Sequence, residues 1–151
     1  MLFRSATPQY LQRRGTSTHL GELAQHDCLT LSSDASQTRG WAFRVPVAGG
    51  GGATEVVHFK PGGPLDCSDG QVLHDWCLGG WGIAWRSTWE VEAEIAAGRL
   101  VEVLADFAAP PNGIYLVFPQ RKHMTLRLRL WMDYLKAHYE RPEFWSKGGT
   151  Q

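Results

Sequence analysis

Residues 65–104 read LDCSDGQVLHDWCLGGWGIAWRSTWEVEAEIAAGRLVEVL, and they give the clearest indication of the fold class. Short apolar segments alternate in it with segments that have helical periodicity. Residues 65–67 are predicted to end a strand, residues 81–85 to form the next strand, and residues 100–104 to form a third. Strands that alternate with helices of this length are typical of an α/β sheet with crossover connections.

The two helices of this stretch carry clear start signals. Ser68 and Gln71 have the spacing of a capping box, and Ser87 and Glu90 repeat that spacing. Glycines that follow each helical segment predict where the helices end. One face of the first helix is predicted to be buried, and its apolar residues are Val72, Leu73, Trp76 and Cys77.

Upstream of this stretch, the sequence predicts a helix, a strand and a hairpin. Thr7 followed by proline is typical of a helix N-cap, and Gly15 is predicted to close that helix. Residues 28–31 form a short apolar strand. Residues 41–47 and 55–60 are then predicted to pair as a hairpin, with the glycine run between them as its turn.

Downstream, two further elements are predicted. The nearly continuous apolar run Ile114 to Phe118 is typical of a strand that is covered on both faces. The last element is a long helix from about Thr125 to Glu140, with a buried apolar face made of Leu128, Trp131, Met132, Leu135 and Tyr139.

Length and charge limit the possible functions. The chain has 151 residues, which is room for one domain, and its 15 basic residues balance 15 acidic ones. A neutral chain lacks the positive field that nonspecific binding to nucleic acid or to a membrane surface needs. No apolar run approaches the length of a membrane span, so a cytoplasmic protein is expected. The tryptophans are predicted to be core residues rather than base-stacking platforms, among them Trp76, Trp81, Trp85 and Trp131.

Some of the cysteines and histidines are candidates for a catalytic or metal site. His74 and Cys77 lie one helical turn apart, which invites a thiolate nucleophile with its base. Cys77 belongs to the apolar stripe of its helix, however, which favours a buried cysteine beside a surface histidine. No pair of cysteines or histidines has metal-ligand spacing. We therefore expect no enzyme activity, no metal and no cofactor.

The start of the helix at Ser68-Asp69-Gly70 suits a small anion. It follows a strand directly, and free backbone N–H groups together with the helix dipole favour negative charge there. Ligands of open α/β sheets collect at the carboxyl ends of the strands. Plain helix capping explains the same residues equally well, so both interpretations remain open at this point.

A set of short motifs occurs along residues 5–139 in a fixed order. The set is Thr7-Pro8-Gln9-Tyr10-Leu11, Arg14-Gly15-Thr16, Leu23 to Leu29, Trp41-Ala42-Phe43, Ser68-Asp69-Gly70, Gly80-Trp81-Gly82-Ile83-Ala84, Arg86 to Val91, Ala97 to Val101, and Ile114-Tyr115 through Phe118-Pro119 to Arg121 and His123. Together these motifs resemble the effector-binding domain of LysR-type transcriptional regulators.

The resemblance implies a periplasmic-binding-protein-like type II fold, in which two α/β lobes close on a small effector. It implies that residues 1–151 are a partial effector-binding domain, without the DNA-binding helix-turn-helix domain. Residues 8–107 are expected to form the complete second lobe, residues 108–140 to return to the first lobe, and residues 141–151 to form a tail. Because most of the first lobe is expected to be missing, an exposed apolar patch in residues 110–140 is predicted.

The resemblance also implies a function and a set of contacts. The expected function is effector sensing and oligomerisation in transcription regulation, with a small anionic metabolite bound at the inter-lobe cleft and no nucleic acid bound by this chain itself. The polar residues carried over to the cleft are Thr7, Ser32, Ser68 and Asp69. A homo-oligomer, or pairing with full-length relatives, is expected. The alternative is a stand-alone half-domain that modulates other proteins by pairing with them.

Overall fold

The computed structural model describes residues 2–32, 40–47, 52–109, 115–117 and 125–141. Most of the predicted hairpin turn, and both ends of the predicted strand Ile114 to Phe118, lie outside these residues. The chain divides into two compact units, which are described separately. Unit 1 is residues 1–111 and unit 2 is residues 112–151.

Unit 1 contains an α/β arrangement in the order that the sequence predicts. Its elements, in chain order, are β1 (Leu2–Ala6), α1 (Pro8–Arg14), a first 3₁₀ helix (Leu20–Gln25), β2 (Cys28–Leu31), β3 (Trp41–Pro46), β4 (Thr54–Phe59), β5 (Asp66–Cys67), α2 (Gly70–Leu78), β6 (Ile83–Ser87), α3 (Thr88–Ala96), β7 (Val101–Glu102) and a second 3₁₀ helix (Ala105–Phe107).

The strands form a five-stranded sheet in the order β5-β2-β6-β1-β7, and β3 pairs with β4 in a separate antiparallel hairpin. β2 runs parallel to both β5 and β6, with Leu31 beside Cys67 and Cys28 beside Ile83. β1 runs antiparallel to β6, so that Leu2 lies beside Ser87. The carboxyl ends of β2, β5 and β6 therefore meet at one end of the sheet, and β1 finishes at the other end.

The sheet is covered on both faces because its side chains alternate in direction. Ile83 and Trp85 of β6 point to one face, whereas Ala84 and Arg86 point to the other. The first face packs on α1, the 3₁₀ helices and the hairpin, and its buried core is Ala6, Tyr10, Leu11, Leu23, Cys28, Trp41, Phe43, Ile83, Val103 and Leu104. The second face packs on α2 and α3, and its buried core is Leu29, Leu73, Cys77, Ala84, Val91 and Leu100.

One cation lies inside the first core. Arg4 is 1% exposed, its guanidinium lies 3.8 Å from the centre of the Phe43 ring, and its Nη2 donates to the carbonyl oxygen of Ala42. Desolvation lowers the pKa of Arg4 to about 10, although the nearby Glu102 carboxylate opposes this shift. The contact with the aromatic ring and the hydrogen bond tie β1 to the hairpin.

Several local predictions for unit 1 are wrong. On α2, Val72 is 40% exposed rather than buried, and the side chain of the predicted surface histidine His74 is only 13% exposed. The strand predicted at residues 81–85 begins two residues later, and Trp81 is 62% exposed rather than a core residue. The N-cap of α2 is Asp69 rather than Ser68, because the Asp69 carboxylate accepts hydrogen bonds from the backbone N–H groups of Gln71 and Val72. The predicted capping box of α3, made by Ser87 and Glu90, is confirmed.

Unit 2 contains the predicted long helix, α4 (Leu126–Tyr139), with Thr125 as its N-cap. The predicted buried face is wrong for this unit, because no residue of α4 is buried and Trp131 is 60% exposed. Residues 115–117 are exposed, and they form no strand within the described part of the chain. The physical reason is the same for both: no sheet is described in this unit for an apolar face or a strand edge to pack on. The predicted exposed patch is confirmed for α4.

Candidate functional site

The carboxyl ends of the three parallel strands bring together polar residues from separate parts of the sequence. We call this region the carboxyl rim, and it consists of Ser32, Ser68, Asp69, Arg86 and Ser87. Neighbouring strands lie about 5 Å apart, so the ends of β2, β5 and β6 span on the order of 10 Å. A small molecule could contact all three strand ends at once.

At the β2 and β5 side of the rim, Ser32 is held in place by two contacts. Its backbone N–H donates to the carbonyl oxygen of Cys67 at 2.6 Å, which extends the parallel pairing by one residue. Its hydroxyl donates to the Asp66 carboxylate at 3.2 Å. Ser32 is exposed, so the hydroxyl is in a fixed position and open to a ligand.

Ser68 and Asp69 lie between the end of β5 and the start of α2, and both are exposed. One oxygen of the Asp69 carboxylate, Oδ1, accepts hydrogen bonds from two backbone N–H groups, at 2.7 Å from Gln71 and 3.0 Å from Val72. Helix capping and the binding of a small anion are therefore both still consistent with this helix start. Asp69 caps α2, and the same turn is presented at the carboxyl rim where ligands of such sheets bind.

Thr7 does not lie at the carboxyl rim. It follows β1, which runs antiparallel to β6, so it lies at the opposite end of the sheet. There its hydroxyl accepts a hydrogen bond from the N–H of Tyr10 at 3.2 Å as the N-cap of α1. The structure therefore brings Ser32, Ser68 and Asp69 together and separates Thr7 from them.

The sequence analysis missed Arg86 as a residue of this region. Its side chain is only 11% exposed and forms an ion pair with Glu90, four residues further on. Glu90 also accepts a hydrogen bond from the N–H of Ser87 at 3.1 Å. A signal was available, because an arginine that shares its strand face with Ala84 must lie against the helices that cover that face.

The hypothesis of a Cys77 nucleophile has no support in the geometry. The Cys77 thiol donates to the carbonyl oxygen of Ser5 at 3.3 Å, and burial raises the pKa of this thiol to about 11. His74 instead faces Glu94, with 4.0 Å between its Nε2 and the carboxylate. A thiol with a raised pKa is protonated at neutral pH and is a poor nucleophile.

Three other features bear on function: clusters of metal-binding side chains, cavities and helices that could cross a membrane. Among the residues that the structure describes, no group of three or more histidine, cysteine, aspartate or glutamate side chains is placed to hold a metal ion. A cavity of about 430 Å³ lies within unit 2, between Leu116 and one face of α4. None of the described helices is long and apolar enough to cross a bilayer.

Comparison with known proteins agrees with this geometry. The profile of the family "LysR substrate binding domain" matches residues 5–140. The chain is 31% identical over 135 residues to the HTH-type transcriptional regulator DmlR of Escherichia coli (strain K12), with 89% of this chain and 41% of DmlR covered. It is 36% identical over 134 residues to the HTH-type transcriptional regulator CrgA of Neisseria meningitidis serogroup C, with 86% of this chain and 41% of CrgA covered. The chain thus spans about two fifths of the length of these relatives.

Solved structures are similar as well. A full-length variant of AphB superposes with a TM-score of 0.70 at 27% identity, with 89% of this chain and 43% of that chain covered. The regulatory domain of CrgA from Neisseria meningitidis superposes with a TM-score of 0.63 at 29% identity, with 89% of this chain and 62% of that chain covered. The expected periplasmic-binding-protein-like type II fold is confirmed by these regulatory domains.

The relatives also bear on the question of catalysis. They are transcriptional regulators by name, which confirms that this domain belongs to a regulatory rather than an enzymatic class. The family profile spans nearly the whole chain and both of its units. On these grounds the chain belongs to the LysR substrate-binding domain family, the effector-binding domain of LysR-type transcriptional regulators.

Proposed function

We propose that this chain senses a small anionic metabolite at the carboxyl rim and thereby controls transcription as part of a cytoplasmic LysR-type regulator. The observation that carries the proposal is the family match over residues 5–140. The proposed location is supported by Ser32, Ser68 and Asp69, which follow two neighbouring parallel strands and are all exposed. The expected inter-lobe cleft stays a prediction.

The proposal assigns a role to each of these residues. The Ser32 hydroxyl is oriented by Asp66, so a ligand meets a positioned polar group rather than a freely rotating one. Ser68 precedes the N-cap of α2, where the helix dipole favours an anion. Asp69 holds this turn in shape, and its own negative charge selects against an anionic group placed directly on it.

A thermal-shift screen of this chain against small metabolites tests the proposal. We expect at least one anionic metabolite to raise the melting temperature, since a ligand that binds only the native state stabilises it. The double variant Ser32→Ala, Ser68→Ala should lose most of that shift without losing the helix cap. Thr18→Ala is the matched control, because Thr18 is an exposed hydroxyl residue between α1 and the first 3₁₀ helix. A shift that survives in the double variant would contradict the location.

A specific observation also favours self-association, so we propose that the chain forms a homo-oligomer through α4. Exposed apolar side chains lie along one side of this helix, among them Leu126, Leu130, Trp131 and Tyr134. Exposed apolar clusters of this kind mark interaction surfaces. A second copy of this chain would supply a like surface, and full-length relatives would supply a similar one.

Sedimentation velocity checks this second proposal. The chain is expected to form a species larger than 16.9 kDa. The fraction of the protein in this oligomer should rise with protein concentration. Replacing Leu130 and Trp131 by Glu and Gln should shift the distribution to monomer. A monomeric wild-type chain at every concentration would contradict it.

A further inference from the structure

Arg86 is a largely buried cation whose hydrogen bonds are incomplete. Its Nη2 donates to Glu90, and its side chain is 11% exposed. Its Nε is buried and has no acceptor within the residues that the structure describes. A buried donor without an acceptor destabilises a fold, so an arginine in this state calls for a functional explanation.

Gly70 explains how the guanidinium reaches the carboxyl rim. A Cβ atom at position 70 would lie 2.5 Å from Nη2 of Arg86 and 3.2 Å from its Cζ, so any other residue at the start of α2 would displace the arginine. Arg86 therefore crosses from the end of β6 to the first turn of α2. It comes to lie beside the turn that holds Ser68 and Asp69, although it is far from them in the sequence.

Glu90 occupies the position where an external anion would bind. One oxygen of its carboxylate accepts from Arg86, and the other accepts from the backbone N–H of Ser87 at the start of α3. A guanidinium beside a helix N-terminal N–H is a strong carboxylate site. The Glu90 side chain is 22% exposed, so a solute can reach this pair.

We propose that Arg86 binds the carboxylate of the effector and that Glu90 is an internal competitor, which the effector displaces from the guanidinium. This inference rests on the proposed function and deepens it by naming the binding residue and the group it recognises. Asp66 already accepts a hydrogen bond from Ser32, so a hydroxyl or amino group of the ligand fits on that side. The ligand class is a small carboxylate that carries a hydrogen-bond donor.

Isothermal titration of this chain with acetate, lactate, succinate and benzoate, each compared with its amide, tests the proposal. For the carboxylate that binds most tightly, Arg86→Gln should lower the affinity by about tenfold or more, because a charge-assisted pair is lost. Glu90→Gln should raise the affinity several-fold, since glutamine keeps the capping box but not the competing charge. Neither variant should bind the amides more tightly than the wild-type chain does.

Arg99→Gln is the matched control. Arg99 pairs with Glu94 near the other end of α3, away from the carboxyl rim, and its side chain is 58% exposed. Its replacement removes the same charge from the chain and should leave carboxylate affinity unchanged. A similar loss in Arg99→Gln and Arg86→Gln would overturn the inference, because net charge alone would then explain both.

The remaining outcomes separate this inference from the proposed function. If the Ser32, Ser68 double variant abolishes binding while both Arg86→Gln and Glu90→Gln leave it unchanged, the inference is wrong and the proposed function stands. If no carboxylate binds the wild-type chain or Glu90→Gln, the inference is wrong. If a ligand binds and none of these variants changes its affinity, both proposals fail. Glu90→Gln keeps the test decisive even if Arg86→Gln does not fold, which circular dichroism would show.

Discussion

Trp41 and Trp131 have the same side chain in opposite surroundings. Trp41 is 2% exposed and packs on Trp85 with 6.2 Å between the ring centres, whereas Trp131 is 60% exposed on α4. The helices of both units have start signals and apolar stripes. Local signals therefore define where a helix begins, whereas burial needs a second surface to pack on, and among the described residues only unit 1 supplies a sheet for that.

The largest expected effect contrasts these two tryptophans directly. Trp41→Ala should lower the free energy of unfolding by about 3–5 kcal/mol, because it leaves a cavity in a closed core. Trp131→Ala should lower it by less than about 0.5 kcal/mol, as expected of exposed positions. Urea unfolding followed by circular dichroism measures both. Equal losses would mean that α4 is as well packed as the core of unit 1.

The next effect uses alkaline pH to report on unit 1, which holds all three cysteines. Burial raises the pKa of Cys28 to about 12 and that of Cys77 to about 11, from an ordinary value of 9.0. Above pH 9 the unfolded chain releases these protons while the folded chain keeps them. The stabilisation is complete below pH 9 and is lost as the pH rises, by up to about 1.4 kcal/mol per pH unit for each thiol.

Denaturant titrations at several pH values between about 8 and 10 measure this slope. Cys77→Ala should reduce it, because one of the two buried thiols is gone, and a Cys28→Ala, Cys77→Ala double variant should reduce it further. Tyr10 and Arg4 also have shifted pKa values, but they are present in every variant and cancel in the comparison. A slope that does not depend on the cysteines would show that the thiols are solvent-accessible.

A smaller effect compares two helix caps. Asp69→Ala removes an acceptor of two backbone N–H groups at the start of α2 and should lower the free energy of unfolding by about 1 kcal/mol. Thr125→Ala removes a single bond of 3.3 Å at the start of the exposed α4, so its effect on the unfolding of unit 1 should be near zero. If both variants lowered the midpoint of unit 1 alike, the two units would unfold together.

The smallest effect compares two exposed ion pairs. Arg99 pairs with Glu94 in unit 1, and Lys136 pairs with Glu140 in unit 2 with 3.8 Å between the charged atoms. Surface pairs contribute little to stability. Neither Arg99→Gln nor Lys136→Gln should shift the urea midpoint measurably, at low or at moderate salt. A salt-dependent loss in Lys136→Gln alone would indicate that α4 is covered in solution.

Much of the fold could be predicted because its signals are local. The proline after Thr7, the capping box of Ser87 and Glu90, and the alternation of strands and helices all depend on neighbouring residues. Trp81 was placed in the core wrongly because apolar character does not report the direction in which a turn presents a side chain. Its exposure depends on Gly80 and on the packing of distant elements.

The candidate site could be predicted only in part. The rule that ligands bind at the carboxyl ends of strands indicated Ser68 and Asp69, whereas Ser32 came from the resemblance to the LysR family. Thr7 also follows a strand, but the sequence does not show that β1 runs antiparallel to its neighbour. Strand alternation could have assigned Arg86 to the face that the helices cover, but no local pattern connects it with Gly70, which it approaches.

The place of β1 in the sheet has a consequence for how the protein is made. Among the strands of this sheet β1 is synthesised before the others, yet its two neighbours in the sheet are β6 and β7. The backbone N–H and C=O groups of residues 2–6 therefore cannot all pair until residue 102 has left the ribosome. At about 5–20 residues per second, the nascent chain carries an unpaired strand for on the order of 5–20 seconds. During that time the hydrogen-bonding edges of β1 are open to pairing with another chain.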